Sequence, residues 1–243
     1  MQTKYPPHSL IKEILPNIFF VKGNNVYVDA NGEQQQHSRN MIIVRESNNL
    51  HLINTVQLTE EGLKTLDSLG KVKSIIRIGA FHDRDDGFYL RQYNNATLWA
   101  IPGMKHAHDH PTNFELTLNG PKPFPTCSVF IFDNSKEPEG ILHINQDKGI
   151  LITCDSIKNW VAADEFFSEK TAKAYKIAGF FGKASVSSVW RNYCQVSLSD
   201  FMQLNQFDFA HLLSAHGEPL LNIDKSQLLK SIQTQYDKSN INL

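Results

Sequence analysis

The chain has 243 residues, 41% of them hydrophobic, and its 24 basic and 25 acidic side chains leave a formal net charge of −1. That length and apolar content suffice for one large core or two small ones. The balanced charge offers no field for nucleic acid or an anionic membrane, and no apolar run nears the roughly 20 residues a spanning helix needs.

Taken in chain order, residues 13–22 and 26–30 flank Gly23-Asn24-Asn25, which predicts a hairpin. Residues 41–45 and 50–53 are short apolar or β-branched runs around a polar turn. Thr59 then opens a helix: it is a good N-cap, Glu60 and Glu61 fill the first turn, Leu63, Leu66 and Leu69 recur at helical spacing, and Gly70 stops it. A strand over 73–78, a short helix over 87–93 and a strand over 96–101 follow.

Residues 102–126 are rich in Pro, His and Gly and read as a long loop, a feature often functional in a compact domain. Strands are expected at 127–133, 140–144 and 149–153, then helices around 169–180, 198–204 and 224–236, interrupted by an apolar run at 209–215. Residues 156–160 read as a stretch that Asp155 could N-cap. No repeat or low-complexity linker appears, so residues 1–243 are read as one α/β domain with helices outside strands. Cys127, Cys154 and Cys194 have no paired spacing, and residues 1–7 lack the apolar core of a secretory signal. The expected location is therefore a reducing cytoplasm.

Chemistry concentrates where the strand over 73–78 ends, in Phe81-His82-Asp83-Arg84-Asp85-Asp86-Gly87. Metal-ligating residue types at the carboxyl edge of a strand sit where α/β folds build their sites. Two further strand ends match: Gly149-Ile-Leu-Ile-Thr-Cys-Asp155-Ser156 and Leu213-Ser-Ala-His216-Gly217. In this order the three motifs resemble the metallo-β-lactamase superfamily, over roughly residues 11–219. The first stands in place of His-x-His-x-Asp-His, the second resembles the strand ending in a metal-bridging aspartate, and the third presents the last histidine ligand. The resemblance implies an α/β fold, a four-layer αββα sandwich, and a hydrolase acting on an ester, thioester, lactone or amide.

Carried over by position, His82, Asp86, Asp155 and His216 are retained as metal ligands, with Asp86 and His82 the implied catalytic pair. Arg84 and Gly87 stand where two histidines are expected, and Lys136 falls where another precedes the bridging aspartate. An arginine has no lone pair to give a metal. About 4 Å from a divalent ion, at an effective dielectric near 20, it faces roughly 8 kcal/mol of repulsion. That is most of the roughly 10–16 kcal/mol of a structural metal.

Two readings follow. In one, a single divalent ion (zinc, manganese or iron) rests on Asp86, Asp155 and His216 beside His82, and a small-molecule substrate is hydrolysed. In the other there is no metal: Arg84 and Lys136 pair with the carboxylates, and the pocket binds an anionic ligand or a protein partner without catalysis. His106-Ala107-His108-Asp109-His110 alternates imidazoles along an extended segment; His108 either substitutes for a lost ligand or shuttles protons, or the loop is simply polar and solvated. Plainer roles exist for the rest. His82 and Asp86 can cap the next helix, His216-Gly217 can be a turn, and Cys154 can be a buried, inert thiol.

Overall fold

The computed structural model describes residues 6–106 and 110–240. Its strands, in chain order, are β1 Lys12–Leu15, β2 Ile18–Val28, β3 Gln34–Glu46, β4 Asn49–Ile53, β5 Lys71–Arg77, β6 Thr97–Ala100, β7 Phe114–Glu115, β8 Cys127–Ile131, β9 Gly140–Ile144, β10 Ile150–Thr153, β11 Lys158–Trp160, β12 Gly182–Ser185, β13 His211–Ser214 and β14 Leu220–Leu221. The α-helices are α1 Glu60–Leu69, α2 Asp86–Gln92, α3 Glu169–Ile177, α4 Ser188–Cys194, α5 Leu198–Met202 and α6 Lys225–Asn240.

β1 to β7 form one sheet in sequence order, antiparallel through β4 and parallel from β4 to β7. A second sheet runs β14-β13-β10-β9-β8, with β10 and β13 parallel. Strand alternation sorts the side chains between layers. On β3, Ile42 and Val44 face the second sheet and pack with Ile18, Ile76, Leu142 and Ile152, whereas Met41 and Ile43 face α1 and α2 and pack with Leu66 and Tyr89. On the second sheet, Ile141, Leu151 and Leu212 turn outward to Trp190 of α4, Phe201 of α5 and Ile232 of α6. The result is helix, sheet, sheet, helix: the αββα sandwich that the motifs imply.

Helix α1 forms as its sequence signals require, with Thr59 Oγ1 accepting from Gly62 N at 3.2 Å. The hairpin expected at Gly23-Asn24-Asn25 is not there. β2 runs straight through it, and Gly23 serves a close approach instead, since a Cβ there would lie 1.9 Å from Val56 Cγ1. The turn comes later, where the Asp29 carboxylate accepts from the backbone of Asn31 and Glu33 and Gly32 takes φ +79°. Residues 158–160, the end of the stretch that Asp155 would cap in its plainer role, are β11, paired with β12.

The two sheets meet at the carboxyl ends of their parallel strands. Gly140 N donates to Ile78 O, Asn54 Nδ2 to Thr153 O, and Asn40 Nδ2 to both Ser214 O and Gly217 O. Thr55, His82, Asp155 and His216 all follow strands that end there. No helix among the described residues is long and apolar enough to cross a membrane.

Candidate metal and substrate site

Because β10 and β13 are parallel and in register, Thr153 beside Ser214, the residues just beyond them, Asp155 and His216, emerge side by side. His82 reaches them from the turn after β5, which is pinned by a bridge between Gly79 and Glu139. His82 Nε2 lies 3.1 Å from His216 Nε2, His216 Nε2 lies 3.0 Å from Asp155 Oδ1, and His82 Nε2 lies 3.5 Å from Asp155 Oδ2. All three side chains are buried or nearly so.

That triangle suits a metal ion. Ligand atoms about 2.0–2.1 Å from a tetrahedral zinc stand about 3.3 Å from one another, and three protein ligands leave a fourth position open. Burial holds the His216 imidazole down to about 4, against the opposing pull of Asp155, so its lone pair is free at neutral pH. Burial would raise the Asp155 carboxyl, but the facing imidazoles of His82 and His216 outweigh it and hold it well below the usual range. Both Nδ1 atoms are buried without a hydrogen-bond partner, so the outer support that usually fixes ligating histidines is absent. Trp160 supports His216 instead, stacked at 4.7 Å between ring centroids. Cys154 is the neighbouring donor: a ligand atom from each of His82, Cys154 and Asp155 fits within 4.8 Å, although burial keeps the thiol protonated.

The remaining expected residues are placed differently. Asp86 opens α2, buried, with Oδ1 accepting from Thr55 Oγ1 at 2.6 Å and Oδ2 without a partner. Burial lifts its carboxyl to about 7 despite that bond and the nearby guanidinia of Arg77 and Arg39. It makes no hydrogen bond to the triangle. Neither expected cation neutralises a site carboxylate. Arg84 is exposed and donates to Val26 O, because its side chain follows the loop outward to β2. Lys136 is also exposed, its Nζ 4.8 Å over the Tyr193 ring and its backbone N bonded to Cys194 O. His108 lies outside the described residues. His106 holds the loop base, taking a bond from Arg77 and contacting Thr112 Oγ1 at 2.7 Å. His110 occupies the space a side chain at Gly87 would need: a Cβ there would meet His110 Nε2 at 2.7 Å.

Three contributors escaped the sequence reading. Lys158 of β11, 4% exposed, places Nζ 4.0 Å from Asp155 Oδ1, and burial lowers its pKa more than the acids raise it. Glu139, 1% exposed, accepts the backbone N–H of both Asp155 and Ser156 through one oxygen at 2.9 Å and so holds the turn carrying Asp155. Burial, then Asp155, raises its carboxyl well above the usual value. Arg39 pairs with Asp85 and leaves Oδ2 of the neighbouring Asp86 without a partner. Lys158 had a sequence trace, a cation three residues after Asp155 between the apolar Ile157 and Trp160, but Glu139 had none until its partners were known.

The triangle opens onto a cavity of about 470 Å³ whose walls include Asp155, Lys158, His216 and several aromatic rings.

No protein-family model and no curated protein matches the sequence. Solved structures do match over nearly the whole chain. DIM-1 metallo-β-lactamase is 15% identical, with a TM-score of 0.63 over 97% of this chain and 99% of that one. The metallo-β-lactamase FIM-1 from Pseudomonas aeruginosa, in its mono-zinc form, is 13% identical with a TM-score of 0.59 over 99% and 100%. A metallo-β-lactamase from Hirschia baltica is 12% identical with a TM-score of 0.58 over 93% and 95%. The chain has the metallo-β-lactamase fold, far diverged in sequence.

Proposed function

We propose that this metallo-β-lactamase-fold chain is a hydrolase that uses one divalent ion, held by His82, Asp155 and His216. The observation that carries the reading is the convergence of these side chains, with the two Nε2 atoms 3.1 Å apart and an Asp155 oxygen within 3.5 Å of each. When bound, such an ion supplies Lewis-acid polarisation of a substrate carbonyl or phosphoryl oxygen and a stronger water nucleophile near neutral pH. The chain's own residues do the rest. Glu139 fixes the Asp155 turn, Trp160 orients His216, and Lys158 offers a buried ammonium to an anionic group of the substrate. Asp86, buried at the start of α2 with Oδ2 unpartnered, is the group we assign to exchange a proton, as the motif position suggests. That a fold neighbour takes a mono-zinc form fits a reduced ligand set. The test is zinc titration of metal-stripped protein followed by ester, thioester, lactone and amide assays. One zinc per chain and turnover lost in Asp155→Ala support the reading; absence of zinc binding overturns it.

A second reading has its own observation. Lys158 Nζ stands 4.0 Å from Asp155 Oδ1, so a lysine already places positive charge beside the carboxylate. In that reading the chain binds an anionic ligand or a partner without catalysis, and Lys158 takes the part expected of Arg84 and Lys136.

A further inference from the structure

The cavity above the triangle has an unusual wall. Among the described residues that line it, Val189 is the one aliphatic side chain; the apolar surface otherwise comes from aromatic rings. At the inner end Trp160, 2% exposed, stacks on His216. Tyr175 continues from it at 5.8 Å, and Phe180 packs on Tyr175 at 4.7 Å. Toward solvent, Phe81 and Tyr193 meet edge to face at 5.9 Å, and they stay 51% and 50% exposed. Rings thus run from the triangle to solvent.

Resting on the hydrolase reading, we infer that the substrate carries a flat aromatic ring system, which this wall receives while the scissile bond lies at the triangle. Five arguments favour that occupant. A cavity for an alkyl chain is lined by Leu, Ile, Val or Met, and this one is not. Aromatic walls offer faces and edges, and another ring gains from these beyond the area it buries. A cationic guest, which such cages also accept, is opposed by Lys158, whose ammonium stands 5.0 Å from the Phe180 ring centroid and 6.0 Å from that of Trp160. The volume, about 470 Å³, fits a ligand of drug size. The two half-exposed rings at the mouth lose their contact with water when a ring covers them.

The test compares 2-naphthoate with decalin-2-carboxylate, which share a carbon count and a charge and differ in flatness. Binding to the zinc-loaded protein is followed by the fluorescence of Trp160 and Trp190. Naphthoate is expected to bind at least fivefold more tightly, and Phe81→Leu/Phe180→Leu, which keeps apolar volume at two incompletely buried positions, brings the two within twofold. Equal binding of the two acids by the unaltered protein, or binding of neither, overturns the inference, as does a preference that survives both substitutions. Turnover separates it from the reading beneath it. Selective naphthoate binding without hydrolysis of the p-nitrophenyl esters of acetic and 2-naphthoic acids leaves the ring pocket standing and removes the hydrolase. Hydrolysis of the acetyl ester with no naphthoate preference does the reverse.

Discussion

His82 and His216 meet Nε2 to Nε2 at 3.1 Å, and the second of these nitrogens is also 3.0 Å from Asp155 Oδ1. Protons satisfy this poorly. If His216 Nε2 carries a proton, it serves Asp155 and His82 only as one shared N–H; if it does not, its lone pair faces the Asp155 carboxylate; if both nitrogens are protonated, two N–H groups face each other. An ion between three lone pairs removes the conflict. His216→Ala and Asp155→Asn are each expected to weaken zinc binding more than a hundredfold, measured by competition with a chromophoric chelator.

The exposed cations are expected to be silent where the buried one is not. Arg84→Ala and Lys136→Ala should each shift zinc affinity less than threefold, since one donates to Val26 O and the other lies on Tyr193. Lys158→Met removes the ammonium 4.0 Å from Asp155 Oδ1 and should tighten zinc about tenfold. The chelator competition used for the triangle reads this as well.

Glu139 makes a distinct prediction for stability. Glu139→Ala leaves the buried N–H groups of Asp155 and Ser156 without their acceptor, at a cost of about 2–4 kcal/mol by urea unfolding. Glu139→Gln keeps an acceptor oxygen and should cost far less, while preserving zinc binding.

The pH dependence of stability in the metal-free protein has two opposed parts. Asp86 is raised from 3.8 to about 7, so the folded chain holds a proton that the unfolded chain has released, and stability falls as pH rises between those values. Asp86→Asn should therefore stabilise at pH 8, by up to roughly 4 kcal/mol, and be neutral near pH 4. His37 is lowered by burial to about 3 and His216 to about 4, so the unfolded chain binds their protons first and stability falls as pH drops below 6.5. His37 is held neutral through Nδ1 on Ser38 O and Nε2 beside Asn25 Nδ2, and His37→Gln should flatten the acid limb. Unfolding midpoints at stepped pH measure both slopes.

Much of this arrangement was legible in the chain itself. Strand ends carrying His82, Asp155 and His216 were visible because a ligand following an apolar run is a local pattern, and the order of strands and helices carried the sandwich with it. Gly23-Asn24-Asn25 misled because a glycine needed for contact with Val56 has the same local appearance as one needed for a turn. β11 was hidden because three residues, paired to β12 over twenty positions later and bridged to Gly217, leave too short a period to read. The direction of Arg84 was out of reach for another reason. A long side chain on a loop goes where a distant carbonyl accepts it, and no spacing in the sequence points to Val26.

The most direct measurement is the zinc content of protein purified without chelator and then dialysed against metal-free buffer, read by elemental analysis. One zinc per chain, lost in Asp155→Ala with the fold intact by circular dichroism, is the expected result. Zinc far below one per chain even after reconstitution, or zinc retained undiminished by Asp155→Ala, would contradict the site.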